Sequence, residues 1–284
     1  GDITWHYHAG IRTLPFKVAI EKNIPLIVWG EHGFAELTGI VSLKDFVEFT
    51  KWNRKEHDMR GVEAEELIGH NGITQADIEP YIYPSDDEIE KTEVRGIYIS
   101  NFFKWDALEH AKMMHDIWDF GYVTYKRDRT FNLHSKIEDH ANDVHDYLKF
   151  LKFGYGRATD DASMEIRHGR LSRSRGVQLV KEYDPNKPSS LEFYCDFLGI
   201  TKEEFYALVE PMRDLDAWCK NKNGEWELKD PVWLQLQNSG TDPKDTKSQT
   251  FSEHNRQLYY NENNRPTFSG NDELDTKSDE FKWL

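Results

Sequence analysis

Residues Pro25 to Gly30, reading Pro-Leu-Ile-Val-Trp-Gly, constrain the fold more than any other stretch. A short, unbroken apolar run between proline and glycine suits a strand buried in a parallel sheet. Before it, Gly10 to Lys22 sets Ile11, Leu14, Val18 and Ala19 on one side of a helical wheel, with Pro15 tolerable only near a helix start. After it, Gly30-Glu31-His32-Gly33 forms a loop at the strand's carboxyl end. Helix, strand and glycine loop in this order make half of a doubly wound α/β unit, whose ligands lie outside the carboxyl ends of the strands.

Downstream, Ser42 caps a predicted helix over Leu43 to Met59, and a shorter helix is expected over Ala64 to Ile68. Arg95-Gly96-Ile97-Tyr98-Ile99 reads as a second strand, followed by a helix over Asp106 to Trp118. Beyond it the pattern is helical: Ile137 to Phe153, stopped at Gly154-Tyr155-Gly156, then Asp161 to His168, Ser172 to Tyr183 and Lys202 to Lys220. From about Asn238 the chain is rich in Asn, Ser, Thr, Asp and Lys without sustained periodicity, which predicts an extended or disordered tail. The expected organisation is an α/β domain over 1–119, a mostly helical lobe over 120–237 and a polar tail over 238–284.

Charge narrows the function. Thirty-six Lys and Arg against 51 Asp and Glu give a formal net charge of -15, the wrong sign for neutralising a phosphate backbone, so nucleic-acid partners are not expected. No apolar run approaches the ~20 residues needed to span a bilayer, and no membrane partner is expected. Cys195 and Cys219 lack CxxC spacing, so neither a disulfide framework nor a thiolate zinc site is indicated and a reducing, cytoplasmic setting fits. GxSxG, HExxH, GxxxxGK[ST] and GxGxxG are all missing from the string, which removes most support for serine hydrolases, zincins, P-loop kinases and nicotinamide dehydrogenases.

Three constellations remain. In the loop from Trp29 to Glu36, two glycines permit close backbone approach, while Glu31 and Glu36 are candidate ligands for a hard cation such as Mg²⁺; the same residues also suit a plain strand-to-helix turn with solvated acids. From Lys152 through Tyr155, Arg157, Asp160, Arg167 and Arg170 to Arg173 and Arg175 runs a local basic cluster in an acidic chain. Arginine forks match phosphate and carboxylate oxygens, and a helix N-terminus near Asp160 adds amide donors for an anion. A solvated helix face paired to nearby acids is the competing reading. His6 and His8 on a strand would face one side together as a metal pair or as packed histidines, and His140 and His145 read as structural or as general bases in reserve.

The strings His8-Ala9-Gly10-Ile11-Arg12-Thr13-Leu14-Pro15, Ile24 to Gly33, Tyr81 to Asp86 and Asp146 to Asp160 resemble the N-acetyl sugar amidotransferase family of bacterial surface-polysaccharide and pseudaminic-acid biosynthesis, over roughly Ile3 to Trp218. The resemblance implies part of a PP-loop ATP-pyrophosphatase α/β domain. It implies ATP and Mg²⁺, an N-acetyl sugar or nucleotide-sugar substrate whose amide oxygen is adenylated and displaced by ammonia, and partner subunits of glutamine amidotransferase type that supply the ammonia. By the same resemblance Gly30, Glu31, Glu36, Arg12 and Lys17 would lie near ATP and Mg²⁺, with Glu31, Lys152 and Arg157 as catalytic candidates. Tyr155, Arg157, Asp160, Arg167 and Arg170 would line the substrate side. The family's SGGxDS loop and cysteine-rich zinc motif do not occur in this string, so an upstream region is expected to carry them, zinc included. Two other readings stand beside the enzyme: a substrate- or partner-binding fragment without the nucleotide loop, and a metal-dependent hydrolase using His6 and His8.

Overall fold

The computed structural model describes residues 5–30, 48–59, 61–99, 102 and 105–239, which group into two compact units, one up to Trp105 and one from Asp106 onward.

The first unit opens with α1 (Trp5–Glu21), which starts earlier than its periodicity predicts and keeps Pro15 in its interior. Its buried stripe is Ala9, Arg12, Thr13, Phe16 and Ala19. Leu14 and Val18, expected to face inward, are exposed instead. Tertiary contacts offset the proline: the Phe16 ring lies 5.4 Å from Phe49 and 5.2 Å from Tyr83, and Lys17 Nζ donates to the Glu79 carbonyl at 2.7 Å. Because Trp5 to Glu21 is helical, His6 and His8 do not lie along a strand; two positions apart on a helix they point to different faces, which removes the metal-pair alternative and leaves the packed-histidine one.

β1 (Leu26–Trp29) lies where the sequence predicts it and pairs in parallel with β3 (Arg95–Tyr98), Leu26 opposite Arg95 and Trp29 opposite Tyr98. Leu26 and Val28 are half-exposed, so the strand is not buried on both faces as its apolar run implies. β2 (Glu48–Phe49) occupies part of the predicted helix over 43–59 and runs antiparallel to β3. Only a helical turn at Lys51–Asn53, capped by Thr50, and a wider turn at Arg54–Asp58 remain helical there; residues 42–47 lie outside the described set. Among the described residues the sheet is thus small and mixed, in order β1-β3-β2, rather than wholly parallel. Gly96 sits where a Cβ would meet Trp29 Nε1 at 2.9 Å and Phe49 Cβ at 3.1 Å, so the aromatic layer over β3 needs glycine there. α2 (Asp86–Thr92) starts from a Ser85–Glu88 capping box.

The second unit is mostly helical: α3 (Ala107–Trp118), α4 (Ala141–Phe153), α5 (Arg157–Arg167), α6 (Arg173–Tyr183), α7 (Leu191–Leu198), α8 (Lys202–Val209) and α9 (Val232–Ser239). The predicted helix over 202–220 ends at Val209, because Pro211 follows and a hairpin of β4 (Trp218–Lys220) and β5 (Trp226–Leu228) takes the remainder. Phe131, Ala158, Ala162, Leu171, Leu179, Val180 and Tyr183 form its core, with Ile166, Val232 and Trp233 packed against it. Gly176 lets α5 and α6 approach, since a Cβ there would meet Ile166 Cδ1 at 2.8 Å. Between α3 and α4 the irregular chain is held from within: Arg127 donates to the carbonyls of Asn132, Ser135 and Lys136 at 2.7–2.9 Å. No helix among the described residues is long and apolar enough to cross a membrane.

Candidate substrate site

The predicted basic cluster starts where α4 stops. Gly154 takes φ 79°, the left-handed turn that ends the helix, and its N–H donates to the Phe150 carbonyl at 2.8 Å. Two residues on, Gly156 is squeezed between two buried side chains. A Cβ there would stand 2.6 Å from Asp184 Oδ1 and 2.9 Å from an Arg129 nitrogen.

Asp184 explains the squeeze. Its carboxylate accepts from Gly156 N at 2.9 Å, Ala158 N at 3.0 Å and Thr159 Oγ1 at 2.6 Å, capping α5 from a distant point in the sequence. The amides expected to receive a ligand anion are therefore already satisfied by the protein, which corrects that expectation. Arg129, fully buried, completes the knot by donating to the carbonyls of Tyr183, Asp184, Asn186 and Asp146. Burial pushes the Asp184 carboxyl up, and the Thr159 and Gly156 hydrogen bonds with the Arg129 charge offset only part of that push.

Two of the predicted arginines, Arg157 and Arg170, are likewise paired inside the unit. Arg157 forks onto Asp146, Nε to Oδ2 at 3.0 Å and Nη2 to Oδ1 at 2.9 Å, and lies 3.8 Å from Asp160. Asp160 itself accepts from Lys149 Nζ at 2.5 Å. Burial opposes ionisation of Asp146, yet the Arg157 charge and fork outweigh it and hold the carboxyl below its ordinary range. Arg170 holds Glu165 at 2.5 and 2.9 Å and Asp106 at 2.6 Å. Burial acts against the Asp106 charge too, but the Arg170 hydrogen bond and the nearby His168 and Arg170 charges prevail and lower its pKa. Arg157, Asp160 and Arg170, expected on the substrate side, thus make ion pairs within the fold, while Arg167 is half-exposed at the end of α5. Lys152 is half-buried with Nζ 5.4 Å from the Phe153 ring centre.

Two buried groups give the unit opposing pH responses. Asp161, which accepts a hydrogen bond from Thr130, is pushed up to about 7 by burial, against the Arg157 charge and the Thr130 hydrogen bond. Between about pH 4 and 7 the folded chain keeps this proton while the unfolded chain releases it, so stability falls as pH rises through that window. Asp161→Asn removes the effect. Its stability relative to the parent should rise by on the order of 2 kcal/mol between pH 5 and pH 8, read as urea midpoints at the two pH values. His134 acts the other way: burial lowers it to about 4, so acid below about pH 6.5 favours the unfolded chain.

One cavity in this unit, of about 430 Å³, is built from the end of α4, one face each of α5 and α6, the β4–β5 hairpin and the start of α9. Its size falls in the range of small-molecule sites, roughly 300–1,000 Å³. Tyr155, Ser163, Arg173, Val177, Asp216 and Trp233 are among its walls. Of the predicted substrate residues, only Tyr155 lines it. Arg173 and Asp216 make no side-chain ion pair or hydrogen bond among the described residues, whereas Lys229, also in the wall, donates to the Leu215 carbonyl at 2.5 Å.

Of the expected nucleotide residues of the first unit, Arg12, Lys17 and Gly30 are among the described residues, and both cations are engaged within the unit. Arg12 is buried, its guanidinium 4.7 Å from the Trp29 ring centre and 3.3 Å from Asp58, and Lys17 is tied to Glu79. Gly30 is exposed at the end of β1, with open space around it, and Glu31 and Glu36 lie outside the described residues. His140 stands at the start of α4 against Phe193, with His145 a turn further on, so they do not form a pair. Cys195 and Cys219 are free thiols, and no group of three metal-ligating side chains occurs among the described residues.

Sequence reasoning passed over Arg129, Asp184 and Asp216. The one local signal for the first two was Gly156, a second glycine beyond the helix-stop glycine, whose need comes from side chains far along the chain.

The helical unit thus carries a half-open cavity walled by both apolar and polar side chains, of a size that suits a small ligand. Residues 100–232 match the family model described as LPS biosynthesis protein WbpG-like, C-terminal domain, a little under half of the chain. The match covers the helical unit up to the start of α9 and agrees with the family resemblance of its sequence strings. No curated protein matches the chain.

Proposed function

We propose that the chain serves lipopolysaccharide or related surface-polysaccharide biosynthesis as an ATP-dependent N-acetyl sugar amidotransferase of PP-loop type. In this reading ammonia, supplied by a glutamine amidotransferase partner, replaces the amide oxygen of a sugar's N-acetyl group and leaves an acetamidino group. The observation that carries it is the WbpG-like match over 100–232, a segment that supplies all of the cavity's walls but Trp233. An amide oxygen is a poor leaving group, which gives ATP its place as activating co-substrate. The part assigned to the described residues is binding and orienting the sugar.

Incubation of the full chain with ATP, Mg²⁺, ammonia and an N-acetylated nucleotide sugar should release AMP only when sugar and ammonia are both present. AMP release independent of the sugar, or none with any such sugar, counts against the reading.

A second reading, a substrate-binding portion without its own nucleotide site, is favoured by one observation: Arg12 and Lys17 are committed to Asp58, Trp29 and Glu79. Sugar binding without AMP release would select it.

A further inference from the structure

We propose that the cavity lined by α5, α6, the hairpin and α9 is the binding site for a sugar ring that carries a small apolar substituent and a negatively charged group, with Arg173 on the anion and Asp216 on ring hydroxyls. The acyl-sugar identity rests on the amidotransferase reading; the location and polarity rest on the geometry.

Arg173 is the first residue of α6, and Arg175 stands in the same turn with no acid among them. Cations at the positive end of a helix are disfavoured, by roughly 0.3–1 kcal/mol each at exposed positions. Arg157 and Arg170 are both forked onto carboxylates, whereas Arg173 meets no such partner among the described residues although acids abound in the chain. Its side chain lines the cavity instead. A solvent-exposed charge that stands against the helix dipole, with no protein partner among the described residues and at the rim of a cavity, is suited to an anion from outside.

The rest of the wall sets the ligand's body. Val177 offers an apolar surface for a methyl group, while Tyr155 and Trp233 supply flat faces for a ring. Ser163 Oγ donates to the Thr159 carbonyl at 2.7 Å, which leaves its oxygen to accept from a ligand hydroxyl. Asp216 is exposed and unpaired among the described residues, an acceptor suited to vicinal hydroxyls. An uncharged apolar ligand would leave both Arg173 and Asp216 without partners, and a free phosphate would leave most of the cavity unfilled.

Calorimetric titration of the full chain with UDP-N-acetylglucosamine, UDP-N-acetylgalactosamine, UDP and free N-acetylglucosamine tests the site without ATP or turnover. At least one nucleotide sugar should bind more tightly than UDP or the free sugar. Arg173→Ala should weaken that binding about tenfold or more, and Ser163→Tyr, which fills the cavity, should abolish it. Arg175→Ala, whose side chain donates to Gln178, should leave affinity unchanged. No binding by either nucleotide sugar, or affinities unchanged in Arg173→Ala, overturns the proposal; because Arg173 is exposed, that variant does not depend on a preserved core. Arg173-dependent binding without AMP release leaves the site standing and removes the amidotransferase reading. AMP release unaffected by both variants does the reverse.

Discussion

Arg157→Ala should destabilise the helical unit by about 3–5 kcal/mol, the range for breaking a buried ion pair from one side. Asp146 is 1 % exposed, so losing its forked partner strands a carboxylate in the interior, beside Asp160 and Asp161. Asp146→Ala should cost a comparable amount, for it strands the guanidinium. The pair replaced together, as Arg157→Met with Asp146→Leu, should recover much of the loss, because similar apolar volume avoids the desolvation of both charges. Urea unfolding followed by circular dichroism gives all three values. A loss below about 1 kcal/mol for Arg157→Ala would show that the fork does not hold the fold. Arg157 would then return to the list of residues facing substrate. The same result bears on how its activity is read: a dead Arg157→Ala variant identifies a catalytic arginine only if it is shown to remain folded.

Gly156→Ala should also be costly, by about 1–3 kcal/mol or more, as for an overpacked core position. The added methyl meets Asp184 Oδ1 and an Arg129 nitrogen at distances shorter than real Cβ contacts tolerate, and neither neighbour is free to retreat. Asp184 is held by three donors at the head of α5, and Arg129 by four backbone carbonyls. Moving either one strands buried polar groups, each worth about 1–3 kcal/mol when left unsatisfied. Since α5 forms one wall of the cavity, ligand affinity should fall along with stability. Gly169→Ala gives the contrast: that glycine has φ 74° but open space around it, so only backbone strain opposes the change. Thermal melts of the two variants should separate clearly, and equal melting temperatures would contradict the packing described for Gly156.

What the sequence made legible was local. The strand at Leu26–Trp29, the helix stop at Gly154 and the helices over Ala107–Trp118 and Arg173–Tyr183 carry their signals in adjacent residues, through apolar runs, caps and glycine. The errors came where distant contacts decide. α1 keeps Pro15 because Phe16, Thr13 and Lys17 are anchored to residues that lie far along the chain. Glu48–Phe49 becomes a strand because β3 offers it an edge. The basic residues stand out as a run in the sequence, but their composition does not reveal that Arg157 and Arg170 have carboxylates waiting and that Arg173 has none among the described residues. Pairing of this kind is a property of the folded interior. A count of charges along the chain reads similar arginines where the fold separates Arg157 and Arg170, which are paired, from Arg173, which is not.

The central claim, a sugar-modifying enzyme of the WbpG-like type, is tested most directly by the mass of the sugar itself. After incubation of the full chain with ATP, Mg²⁺, ammonia and candidate N-acetylated nucleotide sugars, the account predicts that one of them loses one mass unit as NH replaces the amide oxygen, with AMP formed in equal amount. If every candidate sugar keeps its mass while ATP and ammonia are present, the claim is contradicted.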